Sequence, residues 1–201
     1  MNIEKNLQKS IDLYLNNFGI IFLPGLAASI LTVLSLGLLA GPLFGGLMIL
    51  ILKLLRDQQA EFKEIFAHFE KTLPTLIICL AAEIVFLIAR NIPVVGVALT
   101  VALSPLILVV VTIALILIIE KDSAPLPAVK EGILFFKTEP LIIWIYGLIA
   151  LILSSVGAVA FGVGVFLTIP FSVICLTVAY QEYSEQGYFE IIKSGDGHPQ
   201  T

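Results

Sequence analysis

Glu83 is the one ionisable side chain lying well inside a long apolar run, and Arg90 follows seven residues later. That spacing puts both on one face of a helix. A carboxylate held at membrane depth costs at least a few kcal/mol, so such a residue calls for a reason. Two reasons are available. A working Glu83 would couple protons or bind a cation in a polar cavity. A structural Glu83 would be a buried acid, protonated or bonded to a polar group on a neighbouring helix, holding the bundle in register. The structural reading is the simpler, and Arg90 then snorkels from the end of its helix to the membrane surface.

Other constellations that do chemistry are scarce. The two histidines, His68 and His198, both fall in polar segments, so no metalloprotease site or histidine-based serine dyad can be assembled among the apolar runs. Cys79 and Cys175 each sit inside an apolar run, far from any C-x-x-C spacing, and read as small hydrophobes. Ser104, Ser154, Ser155 and Ser172 are hydroxyls with no evident base, and no phosphate-binding or dinucleotide glycine pattern occurs. The expectation is a chain with no catalytic residues, no metal and no cofactor.

What must position Glu83 follows from composition. Of the 201 residues 59% are hydrophobic and only 13% charged, and mean hydropathy is +1.06. That is more apolar surface than one soluble core buries, so the solvent is lipid. The net charge of −4 includes no basic block, which argues against a nucleic-acid partner. Met1 to Asn17 mixes Glu4 and Asp12 with Lys5 and Lys9, and the apolar run after it is too long for a signal peptide.

Three apolar stretches, Phe18 to Leu55, Pro74 to Ile119 and Leu141 to Tyr180, stand between the charged segments. As one helix the shortest would run to roughly 57 Å, nearly twice a hydrocarbon core of about 30 Å. Each stretch is therefore expected to fold back as a hairpin. Breaks lie where hairpins need them: Gly37, Gly41, Pro42, Gly45 and Gly46 in the first, Asn91, Pro93 and Gly96 in the second, and Gly157, Gly162 and Gly164 in the third. The expected crossings are residues 18–36, 38–55, 74–91, 95–119, 141–158 and 162–180. Because the outer turns carry no charge in the first and third hairpins, re-entrant segments are an alternative there.

Folding each stretch back puts Lys5, Lys9, Lys53, Arg56, Lys63, Lys71, Lys121, Lys130, Lys137 and Lys193 on one side, with Arg90 alone opposite. This asymmetry predicts that both termini are cytoplasmic. The polar segments repeat a design as well. Phe62, Ile65, Phe66 and Phe69 follow helical spacing, as do Val129, Gly132, Ile133 and Phe136, with a looser version at Leu7, Ile11 and Tyr14. The architecture expected is an all-α, polytopic bundle of six crossings in three hairpins, each preceded by a cytoplasmic amphipathic helix. Residues 1–192 form one integral membrane domain, and 193–201 a mobile C-terminal tail.

Gly37, Gly41 and Gly45 recur every four residues, as do Ala158 and Gly162, so small residues are expected where helices approach closely. Packing within one chain is the simpler outcome and a homo-oligomer interface the alternative. Trp144, Tyr146, Tyr180 and Tyr183 are placed as an aromatic belt at the cytoplasmic interface.

Gly41-Pro42 with Gly45-Gly46, the charged and Phe-rich segment Lys53 to Phe69, Ala128-Val129-Lys130-Glu131, Gly162-Val163-Gly164 with Thr168-Ile169-Pro170, and Ala179-Tyr180 together give the chain a family likeness. It resembles a group of small, uncharacterised bacterial inner-membrane proteins that includes the YciC-like proteins and the membrane region of some glycerophosphodiester phosphodiesterases. The resemblance implies a six-helix protein of the cytoplasmic membrane and supplies no activity or functional residue. No phosphodiesterase domain follows here, so that activity does not carry over.

The function expected is that of a non-enzymatic membrane component acting through lipids or protein partners. A small transporter or channel built around Glu83 is the alternative, with kinks at Pro105 and Pro170 in its favour. A dry, leucine-filled centre would count against it.

Overall fold

In the computed structural model the described residues, 3–159 and 165–185 (side chains at 156–159 and 165–167 excepted), contain eight α-helices, two short 3-10 turns and no strand. The helices are α1 (Ile3–Asn16), α2 (Phe18–Leu34), α3 (Ala40–Leu55), α4 (Thr72–Arg90), α5 (Gly96–Lys121), α6 (Pro125–Thr138), α7 (Pro140–Val159) and α8 (Val165–Glu185). Gly162 and Gly164 lie outside the described residues, as does the tail 193–201.

Helices form at two of the expected amphipathic segments, α1 and α6, but each buries a face offset from the one its spacing picks out: of Leu7, Ile11 and Tyr14 only Tyr14 is buried, and of Val129, Gly132, Ile133 and Phe136 only Gly132. α1 buries Asn6, Ser10 and Tyr14, one residue per turn, and leaves Glu4, Lys5, Lys9 and Asp12 in solvent. α6 opens on Pro125, whose fixed φ suits a first helical turn, and buries Ala128, Gly132 and Phe135. Each then turns sharply into an apolar helix: α1 and α2 meet at 92°, α6 and α7 at 109°.

The segment Phe62 to Lys71, expected as a third amphipathic helix, forms two 3-10 turns instead, Phe62–Phe66 and Phe69–Lys71. The reason is tertiary. Its backbone is pressed into α3, where a Cβ built on Gly46 would stand 2.7 Å from Ile65 Cα and 2.8 Å from Glu64 O. Ile65 is fully buried there, and Lys53 on α3 holds Glu64 at 2.6 Å. Contact with α3 has overridden the helical spacing of the phenylalanines.

Among the described residues two stretches, Phe62–Arg90 and Gly96–Lys121, are long and apolar enough to cross a membrane, and there are four if each bent pair counts as one span. α5 is the axis of the bundle, packing against α3, α4, α6, α7 and α8. Its stretch Thr112 to Ile119 is buried throughout, together with Val173 to Gln181 of α8 and Leu47 to Leu52 of α3 apart from Ile49. Its first turns, with Val97 77% and Val101 61% exposed, face outward. α4 is the most peripheral of the long helices, burying only Thr75, Ile78 and Ala89.

Helix ends are closed by the chain itself. After α2, Leu36 and Gly37 take positive φ (52° and 84°), Gly37 N–H donates to Thr32 O and Leu36 N–H to Val33 O, the paired bonds of a Schellman ending. After α3, Asp57 (φ 54°) does the same, with Gln58 N–H donating to Lys53 O.

Candidate functional site

α4 carries Glu83 and Arg90, and its peripheral place decides what they meet. Glu83 is exposed, opening onto a surface groove of about 520 Å³ whose walls include Leu36 and Leu38 from the α2–α3 turn, Leu80 and Phe86 from α4, and Ser104 from α5. Among the described residues it makes no hydrogen bond or ion pair. The expected buried acid bonded to a neighbouring helix is therefore not what stands here: mid-helix is not mid-bundle when the helix is outermost. Arg90 is exposed at the end of α4, about 10 Å further along the axis, and does not reach Glu83.

The groove is nearly all hydrocarbon; Cys79 and Ser104 are the polar neighbours of Glu83 on its walls. The Ser104 hydroxyl is spent on Thr100 O at 2.7 Å. Nor does the bundle centre offer a polar passage among the described residues, being filled by Leu43, Leu47, Ile51, Ile113, Ile116 and Leu117. No three His, Cys, Asp or Glu side chains converge there on a metal-sized space.

The glycines divide into two jobs. Gly37 makes the α2–α3 turn. Gly41, Pro42, Gly45 and Gly46 do not interrupt the stretch but lie buried within α3. A side chain at Gly41 would strike Thr75 of α4, one at Gly45 would strike Ile119 of α5, and Gly46 seats the 62–66 segment. Each of these is a close approach between segments of one chain, whereas Gly37, which shares the four-residue spacing, has nothing within 4 Å. Gly157 lies within the helical bounds of α7. Two further contacts pair a glycine with a helix-interior proline: Gly25 with Pro170, and Gly147 with Pro105, whose carbonyl oxygen is 2.8 Å from a Cβ built there. Near Pro105, Trp144 Nε1–H donates to Ala102 O at 2.9 Å.

The tyrosines overturn the aromatic belt. Tyr146, Tyr180 and Tyr183 are among the largest fully buried side chains. The Tyr146 hydroxyl donates to Cys175 O at 2.9 Å, Tyr180 to Glu120 Oε2 at 2.8 Å, and Tyr183 to Glu139. A buried phenol needs such a partner, and here the partners sit on other helices.

These bonds belong to a polar junction that spacing along the chain could not reveal. Arg56, just past α3, reaches Glu120 near the end of α5 at 2.7 Å. Its Nε and Nη2 donate to Gln181 Oε1 on α8 at 3.1 and 3.0 Å. Around this centre Lys71 pairs with Asp122, and Asn6 of α1 donates to Glu182 of α8. The junction thus gathers the start of α1 and the ends of α3, α5 and α8 at one end of the bundle. The signal available in sequence was Arg56 and Glu120 at equivalent places just outside apolar runs. Nearby, His68 Nε2 is buried with no hydrogen-bond partner among the described residues, and burial lowers its pKa, opposed by Glu70.

No known protein family, curated protein or solved structure matches this chain.

Proposed function

We propose that the chain is a multi-pass integral membrane protein that performs no catalysis and works through membrane lipids or partner proteins. Its six apolar helices enter the bilayer as three hairpins from the cytoplasmic side. The observation that carries this reading is the bare face of α4. Leu73, Ile77, Leu80, Ile84, Leu87 and Ile88 are all exposed, each by 47% or more. Apolar surface costs about 25 cal/mol per Å² in water, and a continuous helix face of it marks contact with lipid or another protein. The sharp elbows before α2 and α7 support the same reading, since they let an amphipathic helix stay at a surface while its successor leaves it. The one-sided distribution of lysine and arginine supports cytoplasmic termini, and the resemblance noted above favours the bacterial inner membrane.

The transporter alternative draws on Glu83 and its groove, but the hydrocarbon-filled centre favours a component that binds lipid or protein over one that passes a solute. Extraction in mild detergent, followed by identification of the lipids and proteins that stay bound, tests the proposal without a guess at substrate. Defined lipids or a partner retained through purification is the expected outcome. Release of the protein from membranes by alkaline carbonate would sink it. For the alternative, Glu83→Gln should leave assembly intact and abolish any proton-linked flux into liposomes.

A further inference from the structure

The α2–α3 turn has properties that set it apart from an ordinary loop. Every backbone N–H from Ser35 to Ala40 has an acceptor within the same few residues. Ser35 donates to Leu31 O at 2.9 Å, Leu36 to Val33 O at 3.1 Å, Gly37 to Thr32 O at 2.8 Å, Leu38 to Ser35 O at 3.1 Å and Ala40 to Gly37 O at 3.1 Å. The remaining donor, Leu39 N–H, goes to the Ser35 hydroxyl oxygen at 3.2 Å. A loop in water has no need of such closure, because water supplies the partners. Hydrocarbon supplies none, and each donor left open there costs several kcal/mol.

The side chains say the same. Val33, Leu34, Leu36 and Leu38 are 55% exposed or more, Leu36 reaching 92%. No Asp, Glu, Lys, Arg or His occurs from Phe18 to Leu52. A turn that emerged from the membrane would present four bare aliphatic side chains to water, at a cost the sequence does nothing to reduce.

Position within the bundle completes the case. α2 has 17 residues and α3 has 16, about 25 and 24 Å, which makes them the shortest of the six apolar helices. The turn residues Leu36, Gly37 and Leu38 share a groove with Leu76 to Phe86 of α4 and do not reach its outer end at Arg90. Gly41 packs on Thr75, which stands in the first turn of α4. The tip of this hairpin therefore lies against α4 short of its outer end and of the α4–α5 turn.

We infer that α2 and α3 form a re-entrant hairpin: it enters from the charged face, turns back within the hydrocarbon, and rests its tip leucines against lipid acyl chains. The inference builds on the membrane reading above and changes it in one respect, since the first hairpin then contributes no full crossing. The chain would cross four times, through α4, α5, α7 and α8.

Site-directed labelling of the full-length protein in native membranes and in liposomes tests this. In a background with Cys79→Ala and Cys175→Ala, single cysteines are placed at Leu36 and at Val94, the fully exposed residue of the α4–α5 turn. A bimane on each is then quenched by lipids brominated at different depths. Leu36→Cys is expected to be protected from a membrane-impermeant maleimide added to either face, and to be quenched best by deep bromines. Val94→Cys is expected to be quenched about one to two helical turns shallower, near the far surface. Equal depth at the two sites, or labelling of Leu36→Cys from the face opposite the charged segments, overturns the re-entrant hairpin while leaving the membrane reading standing. If neither bimane is quenched by any brominated lipid, the membrane reading itself has failed, and the inference with it.

Discussion

The two halves of α5 differ as if they came from different proteins. From Gly96 to Ser104 only Gly96 is buried, with Val97, Ala98, Val101 and Ala102 exposed and the rest half-buried, whereas from Thr112 to Ile119 every side chain is buried among neighbouring helices. Composition does not distinguish them, since both are runs of Val, Leu, Ile and Ala broken by an occasional hydroxyl. What differs is the neighbour. The second half is enclosed by other helices and ends in the Arg56–Glu120–Tyr180 junction. The first half lies with the outer part of α4 and the α2–α3 tip, and no such junction closes it among the described residues. One end of the molecule thus has a closed core ending in a polar junction, and the other leaves much of its apolar surface uncovered among the described residues.

If that contrast is real, equal truncations at the two ends must have unequal costs. Ile116→Ala, at a site with no exposure, should destabilise the protein by about 2–5 kcal/mol through lost burial and a residual cavity. Ile84→Ala, at a site 55% exposed, should change stability in detergent by less than about 0.5 kcal/mol. Thermal unfolding of the two variants in one detergent decides it, and equal losses would mean that α4 is covered by something the monomer does not contain.

Glycine provides the next largest effect. Gly46→Ala forces Ile65 and Glu64 away from α3 and should lower stability by about 1–3 kcal/mol, since the atoms in the way are backbone. Gly19→Ala meets nothing within 4 Å on an exposed face of α2 and should raise stability by several tenths of a kcal/mol through helix propensity. Opposite signs from the same substitution would sharpen the distinction between packing glycines and incidental ones.

The junction should matter less than its number of bonds suggests. The Arg56 side chain is 33% exposed and that of Glu120 20%, so water and salt weaken the pair, and Arg56→Met should cost about 1–2 kcal/mol. Adding Glu120→Gln should recover part of that loss, because the stranded carboxylate is removed. A double-mutant cycle with no coupling would mean that the junction merely collects side chains already at the surface.

Much of this architecture could be read from the chain. The three long apolar stretches, the charged segments between them and the breaks at Gly37 and at Asn91 to Gly96 locate α2, α3, α4, α5, α7 and α8 to within a few residues, because long apolar runs leave so coarse a pattern. What could not be read was set by contact between distant segments. Phe62, Ile65, Phe66 and Phe69 carry helical spacing, yet the segment yields to Gly46. Tyr146, Tyr180 and Tyr183 look like interface residues until their partners at Cys175, Glu120 and Glu139 are known. Glu83 counts as deep along α4 and is shallow in the bundle, and periodicity carries no information about which helix is outermost.

The smallest expected effect lies at the border between the two regions, on the segment that joins α3 to α4. His68 sits there with one ring nitrogen buried and unbonded among the described residues, and burial lowers its pKa below the ordinary value of 6.5, against the opposing pull of Glu70. Because the folded protein resists a proton that the unfolded chain accepts, the unfolded state binds more protons as pH drops through about 6.5 and below. Stability attributable to this site is therefore full above that pH and is lost as pH falls towards the folded pKa. The loss should be slight, since the imidazole is only partly buried. Comparing unfolding midpoints at pH 7.5 and 5.5 for the parent and His68→Gln isolates it: the parent should lose more on acidification than the variant. An identical pH response in the two would show that the ring is solvated.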